Sequence, residues 1–131
     1  MKAVKGIGEM TEDEERYATA ARELLTKAQE ALAERDLRQA SEKGWGAAAQ
    51  IVKAVATRRS WQHQSHAALF EVVRRLMLET GDRNLQANFH IANSLHYNFY
   101  EDRMLDEAIE VGLEHVREFI QGMEPFLPGH T

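Results

Sequence analysis

Most of the residues able to do chemistry in this chain sit in one stretch. Gly81 to Asp102, reading GDRNLQANFHIANSLHYNFYED, holds two of the six histidines, four of the ten aromatics and four asparagines. Histidine moves protons near neutral pH and ligates metals. Asparagine offers both donors and acceptors. At 3.6 residues per turn, Leu85, Phe89, Ala92, His96 and Phe99 share one stripe, and Gln86, His90, Asn93, Tyr97 and Glu101 share another. His96 is therefore expected to point inward and His90 to lie on a polar, aromatic face. A buried polar group needs a partner, so this helix reads as facing both the core and a second surface, either a site or a subunit interface. His96, Tyr97, Asn93 and Tyr100 are the side chains expected to bind there.

Other chemistries find less support. The chain has no cysteine, which removes disulfides, thiolate nucleophiles and thiolate metal sites. Di-iron bundles use Glu, two residues, then His, and no histidine here has Glu three positions before it. The HExxH zinc pattern is absent too. His63 and His66 stand one helical turn apart as half of a site with no visible partner, so neither a metal nor another cofactor is expected. Arg58, Arg59, Arg74 and Arg75 are basic, with Trp61 between the pairs available for base stacking. The two pairs fall near opposite ends of one helix, so they need not form one patch; a solvated face is the default reading, with a local basic patch left open.

The elements that must position these residues are helices. Thr11 with Glu14 three residues on is a capping-box signature, opening a first helix that runs to about Glu34. Asp36 with Gln39 caps a second, from about Leu37 to Arg58, so the intervening turn is very short and the two helices fold back antiparallel. Ala40, Gly44, Ala47 and Ile51 give the second helix a stripe of mostly small residues, which lets a neighbour approach closely around Trp45. Ser65 caps a third helix ending near Thr80, Gly81 stops it, and Asp82 caps the fourth. A fifth runs from about Leu105 to Gly122. No strand pattern occurs. The expected fold is all-α: an up-and-down four-helix bundle core with a fifth, C-terminal helix. Residues 1–10 read as a loose tail, 11–124 as a single domain and 125–131 as an irregular tail.

At 131 residues and net charge −5, the chain is one domain by size, and its overall charge argues against strong non-specific binding to nucleic acid. The start MKAVKGIGEM lacks the apolar run of a secretory signal, and no run of about 18 apolar residues occurs. A cytoplasmic protein without a membrane partner is expected.

The run DLRQASEKGWGAAAQIVKAVA, then His66-Ala67-Ala68-Leu69-Phe70-Glu71-Val72-Val73, resembles the HEPN superfamily, closest to its PaREP-type branch. Asp36, Ala40, Ala47, Lys53 and His66 carry the likeness, as does Leu95-His96-Tyr97-Asn98-Phe99-Tyr100-Glu101, over about residues 15 to 120. The resemblance implies a HEPN-like four-helix bundle, often a homodimer. Many such proteins are metal-independent RNases of toxin–antitoxin or defence systems, which makes RNA or a nucleotide, and an antitoxin or nucleotidyltransferase, the implied partners. Their signature is Arg, four to six residues, then His, usually with a polar residue after the Arg. Arg83, Asn84 and His90 fit it, two helical turns apart on one face, as catalytic candidates: His as acid or base, Arg on phosphate charge. Arg58 with His63 and Arg59 with His66 match the letters as well. His96 fits the PaREP-type pattern better, yet His90, Ile91 and Ala92 stand where its Arg belongs. Two readings stay open: a non-catalytic HEPN-like homodimeric module that binds nucleic acid, a nucleotide or a protein, and a metal-independent RNase.

Overall fold

A computed structural model describes residues 8–129, apart from the side chain of Tyr100. Residues 1–7 of the expected N-terminal tail, and 130–131 at the other end, lie outside the described residues. Five helices follow in order: α1 (Glu12–Ala33), α2 (Leu37–Arg59), α3 (His66–Thr80), α4 (Arg83–Glu101) and α5 (Asp106–Met123). A 3-10 turn, Glu124–Phe126, comes after them. No strand occurs among the described residues. The segment expected to be an irregular tail thus continues the fold: Leu127 is buried and Phe126 packs on the core.

Side-chain oxygens start four of the helices by accepting from a free backbone N–H of the first turn. Thr11 Oγ1 takes Glu14 N at 3.2 Å, Asp36 Oδ1 takes Gln39 N at 3.3 Å, Ser65 Oγ takes Ala68 N at 3.0 Å, and Asp82 Oδ1 takes Asn84 N at 3.0 Å. Two helices end in the paired Schellman bonds that satisfy orphan carbonyls. In α1, Arg35 N donates to Leu32 O and Asp36 N to Ala31 O; in α2, Ser60 N donates to Thr57 O and Trp61 N to Ala56 O. Both turns place a non-glycine residue in the left-handed region, Arg35 at φ 64 and Ser60 at φ 59. Asp36 closes α1 and caps α2 at once, which is why the connection is so short.

The helix α2 lies against α1, α3, α4 and α5. Ala40, Ala47, Ala48, Ile51, Val52, Ala54, Val55 and Ala56 are fully buried, so burial extends well beyond the small-residue stripe and leaves one half-buried face of Lys43, Gln50, Lys53 and Thr57. The fifth helix, α5, is part of the core. It packs on α1, α2 and α4 and buries Ile109, Val116 and Phe119, while the shorter α3 rests mainly on α4.

The closest approach is between α2, α4 and α5. A Cβ at Gly44 would lie 2.5 Å from Leu113 Cδ2 and 3.1 Å from Leu95 Cδ1; one at Gly112 would lie 2.8 Å from Leu95 Cδ2. Leu95 is fully buried and has a glycine against each methyl, so neither methyl has room to yield. One turn away, a buried polar joint fixes the register of α2 on α4. Asn98 Nδ2 donates to Ser41 Oγ at 2.7 Å, and Ser41 Oγ donates to Leu37 O at 2.9 Å. Asn98 Oδ1 accepts from Arg103 N and Met104 N at 2.9 and 2.7 Å, so this one side chain also holds the turn into α5.

Alanine normally favours a helix over glycine by about 1 kcal/mol. At Gly44 the expected sign is reversed: Gly44→Ala lowers stability by about 1–2 kcal/mol, because overpacking a filled core costs about 1–3 kcal/mol. Gly46→Ala, which meets only the half-buried Leu24 tip at 3.3 Å, is expected to be neutral or stabilising. Paired urea melts of the two variants check the contrast, and equal shifts would contradict it.

Candidate functional site: a histidine and aromatic platform

The joint between α2 and α4 gathers rings. Trp45, beside Gly44, is 6% exposed and forms the floor. His66, the first residue of α3, stacks on it with centroids 4.8 Å apart and planes at 17°. His96, beside Leu95, lies 5.4 Å from Trp45 and 5.1 Å from His66. Phe89 sits 5.4 Å from Trp45 on the core side and continues to Phe119 at 5.2 Å. Phe70 of α3 bridges outward, 4.7 Å from Phe89 and 5.1 Å from His90. Tyr97, 61% exposed, stands 6.2 Å from His96. Three exposed rings, His66, His90 and Tyr97, therefore rest on a packed layer of Trp45, Phe70 and His96.

The inner ring has a fixed orientation. His96 Nδ1 lies 3.1 Å from Glu42 Oε2, and its side chain is only 21% exposed. An ionised carboxylate only accepts hydrogen bonds, so His96 donates from Nδ1 to Glu42. This is how a carboxylate orients an imidazole for acid–base work. Asn93, between His90 and Tyr97 on the same helix face, is half-buried, and its Oδ1 is buried without a hydrogen-bond partner.

The sequence-derived candidates separate. His96 and Tyr97 meet directly, 6.2 Å apart, His90 joins the cluster through Phe70, and Asn93 shares the helix face of His90 and Tyr97. Arg83 and Asn84 stand exposed in the first turn of α4, with Asn84 N engaged by Asp82, and among the described residues no hydrogen bond or ring contact joins them to His90. The Tyr100 side chain lies outside the described residues. His63 and His66 diverge: His63 Nδ1 faces Trp61 O at 3.2 Å and its ring meets Tyr17 at 5.7 Å, whereas His66 lies on Trp45. No cluster of three or more metal-ligating side chains occurs among the described residues. Glu42 and Phe70 escaped sequence reasoning. The usable signal was Glu42 standing three residues before Trp45, hence on its side of α2.

A second ring site brings members of the two basic pairs together. The Arg59 guanidinium lies 5.2 Å and that of Arg75 5.0 Å from the Trp61 ring centroid. The Schellman turn at Ser60 turns Trp61 back against α3, which brings the end of α2 and the middle of α3 to one indole. Arg59 also binds Glu79 through two bonds of 2.9 and 3.0 Å. That hydrogen bonding, partly opposed by desolvation, raises the Arg59 pKa and holds the Glu79 carboxyl below its ordinary range. The stabilisation from Glu79 is present above the unfolded carboxyl value and is lost as pH falls through the lower folded value.

These features define an all-helical protein with a ring-lined surface over the joint between α2 and α4. The chain matches the model of the archaeal PaREP1/PaREP8 family over residues 16–120 and belongs to that family. No curated protein and no solved structure matches it. No helix among the described residues is long and apolar enough to cross a membrane.

The His96 assignment has a direct check. Long-range ¹H–¹⁵N NMR spectra of the neutral imidazole are expected to show Nδ1 protonated. Glu42→Gln, whose amide both donates and accepts, should release the other tautomer. A wild-type ring protonated at Nε2 would contradict the contact.

Proposed function

We propose that this chain is a HEPN-like module, a helical bundle that works without catalysis as a cytoplasmic homodimer and binds single-stranded RNA across the His66, His90 and Tyr97 platform. The single observation that carries this reading is the layer of exposed rings on packed rings. Single-stranded nucleic acid binds to such platforms because every base has a π-face, with stacking contributing about 1–3 kcal/mol per base. The acidic balance of −5 places the affinity in stacking and not in phosphate neutralisation, so the salt dependence should be shallow. The homodimer and a companion antitoxin or nucleotidyltransferase come from the HEPN resemblance. Leu105 and Val111, 72% and 51% exposed on α5 and its cap, are apolar side chains that a subunit contact would cover.

Fluorescence anisotropy with a labelled single-stranded RNA tests the reading. His66→Ala and Tyr97→Ala are each expected to weaken binding by about tenfold, the equivalent of 1.4 kcal/mol, with helix content unchanged. Unchanged affinity in the double variant, or equal affinity for a duplex, would remove the platform from the account.

One observation favours the second reading, a metal-independent RNase. Glu42 Oε2, 3.1 Å from Nδ1, orients the His96 imidazole, whose ring lies 5.1 Å from that of His66, and an imidazole held in this way can act as acid or base toward a ribose hydroxyl. In the resemblance-based version, Arg83 and His90 take those roles with Asn84. Incubation with mixed RNA in excess EDTA separates the two readings. The binding module leaves RNA intact. Cleavage lost in His96→Ala would make the Glu42–His96 pair the catalytic centre, and cleavage lost only in Arg83→Ala/His90→Ala would place it at the start of α4.

A further inference from the structure

A cleft of about 330 Å³ opens beside Trp61, between the end of α2 and the outer face of α3, lined by Ser60, Trp61, Gln62, Glu71 and Arg75 among others. It shares no lining residue with the ring platform. Its volume is at the lower end for small-molecule clefts, about 300–1,000 Å³.

The chemistry of its walls is uneven in charge. Arg59 is matched one to one by Glu79 through two bonds. Arg74 and Arg75 instead share a single carboxylate, Glu71, at 3.4 and 3.5 Å. Two guanidiniums on one carboxylate leave this trio with one positive charge in excess, on a chain whose net charge is −5; Glu71 and Arg75 of the trio line the cleft itself. Arg75 is half exposed, and its ion pair with Glu71 is a 3.5 Å contact from Nε. Its guanidinium rests over the indole, the place a flat aromatic ligand would take. Cation–π contacts at exposed sites contribute only about 0.5–1 kcal/mol, so displacing Arg75 is inexpensive, and the displaced guanidinium still reaches the cleft with its paired N–H donors open to a phosphate. The exposed Gln62 amide and Ser60 hydroxyl supply the donors and acceptors that a base edge and a ribose require.

We infer that this cleft is a nucleoside monophosphate site, in which the base stacks on Trp61 and Arg75 moves from the indole onto the phosphate. It stands independently of RNA binding on the platform.

Isothermal titration of the full-length chain with adenosine monophosphate tests it, with inorganic phosphate and adenosine as separate titrants. Saturable binding with a Kd of about 1 mM or tighter is expected for the monophosphate, with each fragment at least about tenfold weaker. Arg75→Ala, at an exposed position, is expected to weaken binding about tenfold or more; Trp61→Ala should do the same. His66→Ala/Tyr97→Ala should leave it unchanged. Absence of saturable binding overturns the inference, as does full affinity in Arg75→Ala. Loss of binding in His66→Ala/Tyr97→Ala with retention in Trp61→Ala overturns it as well, by moving the nucleotide to the platform.

Discussion

Leu95 stands between two glycines that belong to other helices, Gly44 of α2 and Gly112 of α5, and its methyl groups fill the space where their side chains would be. Interiors packed to crystal-like density transmit a displacement of one methylene to their neighbours. The contact therefore sets how deeply α4 settles between α2 and α5. The buried Ser41–Asn98 hydrogen bond sets the register along the same line. Depth and register together leave α2 and α4 little freedom to slide.

The ring platform depends on that joint through sequence adjacency. Trp45 follows Gly44 and His96 follows Leu95, so the residues that pack the joint aim the residues that form the floor. Glu42, one turn before Trp45 on the same helix, then reaches the imidazole of His96. The rings of α3 arrive by a different route. The Schellman turn at Ser60 and the Ser65 cap fix where α3 begins, and its first residue is His66, placed on Trp45. Most of the stiffness of the surface thus comes from backbone caps and aliphatic packing under it. That is the second-layer support a preorganised binding surface needs.

The helices were legible because their ends carry strong local signals. Thr11, Asp36, Ser65 and Asp82 each cap as read, and Gly81 ends α3 with φ 75. The inward stripe of α4 was legible from the period of Leu85, Phe89 and Ala92. Long-range arrangement was not. Because α2 is rich in alanine and valine, its sequence shows little facial contrast, and it does not reveal that α2 touches all four other helices. The same limit hid the second ring site. Arg59 and Arg75 are 16 positions apart, and only the reversal at Ser60 brings both to Trp61. Glu42 looked like one more surface acid among 21 acidic residues until the helix crossing placed it on His96. Arg83 and Asn84 show the opposite case: they fit a short motif by letters and spacing, while the geometry gathers His90 with Phe70, on the platform.

We propose that single-stranded RNA stacks on the surface built by the α2–α4 joint. Ultraviolet crosslinking of a uridine-rich single-stranded RNA to the full-length chain, followed by mass spectrometry of the crosslinked peptides, tests it most directly, because crosslinks form where a base lies against a side chain. Crosslinks are expected in residues 66–70 and 90–97. Crosslinks confined to Trp61 and its arginines, or to α1 and α5, would contradict it.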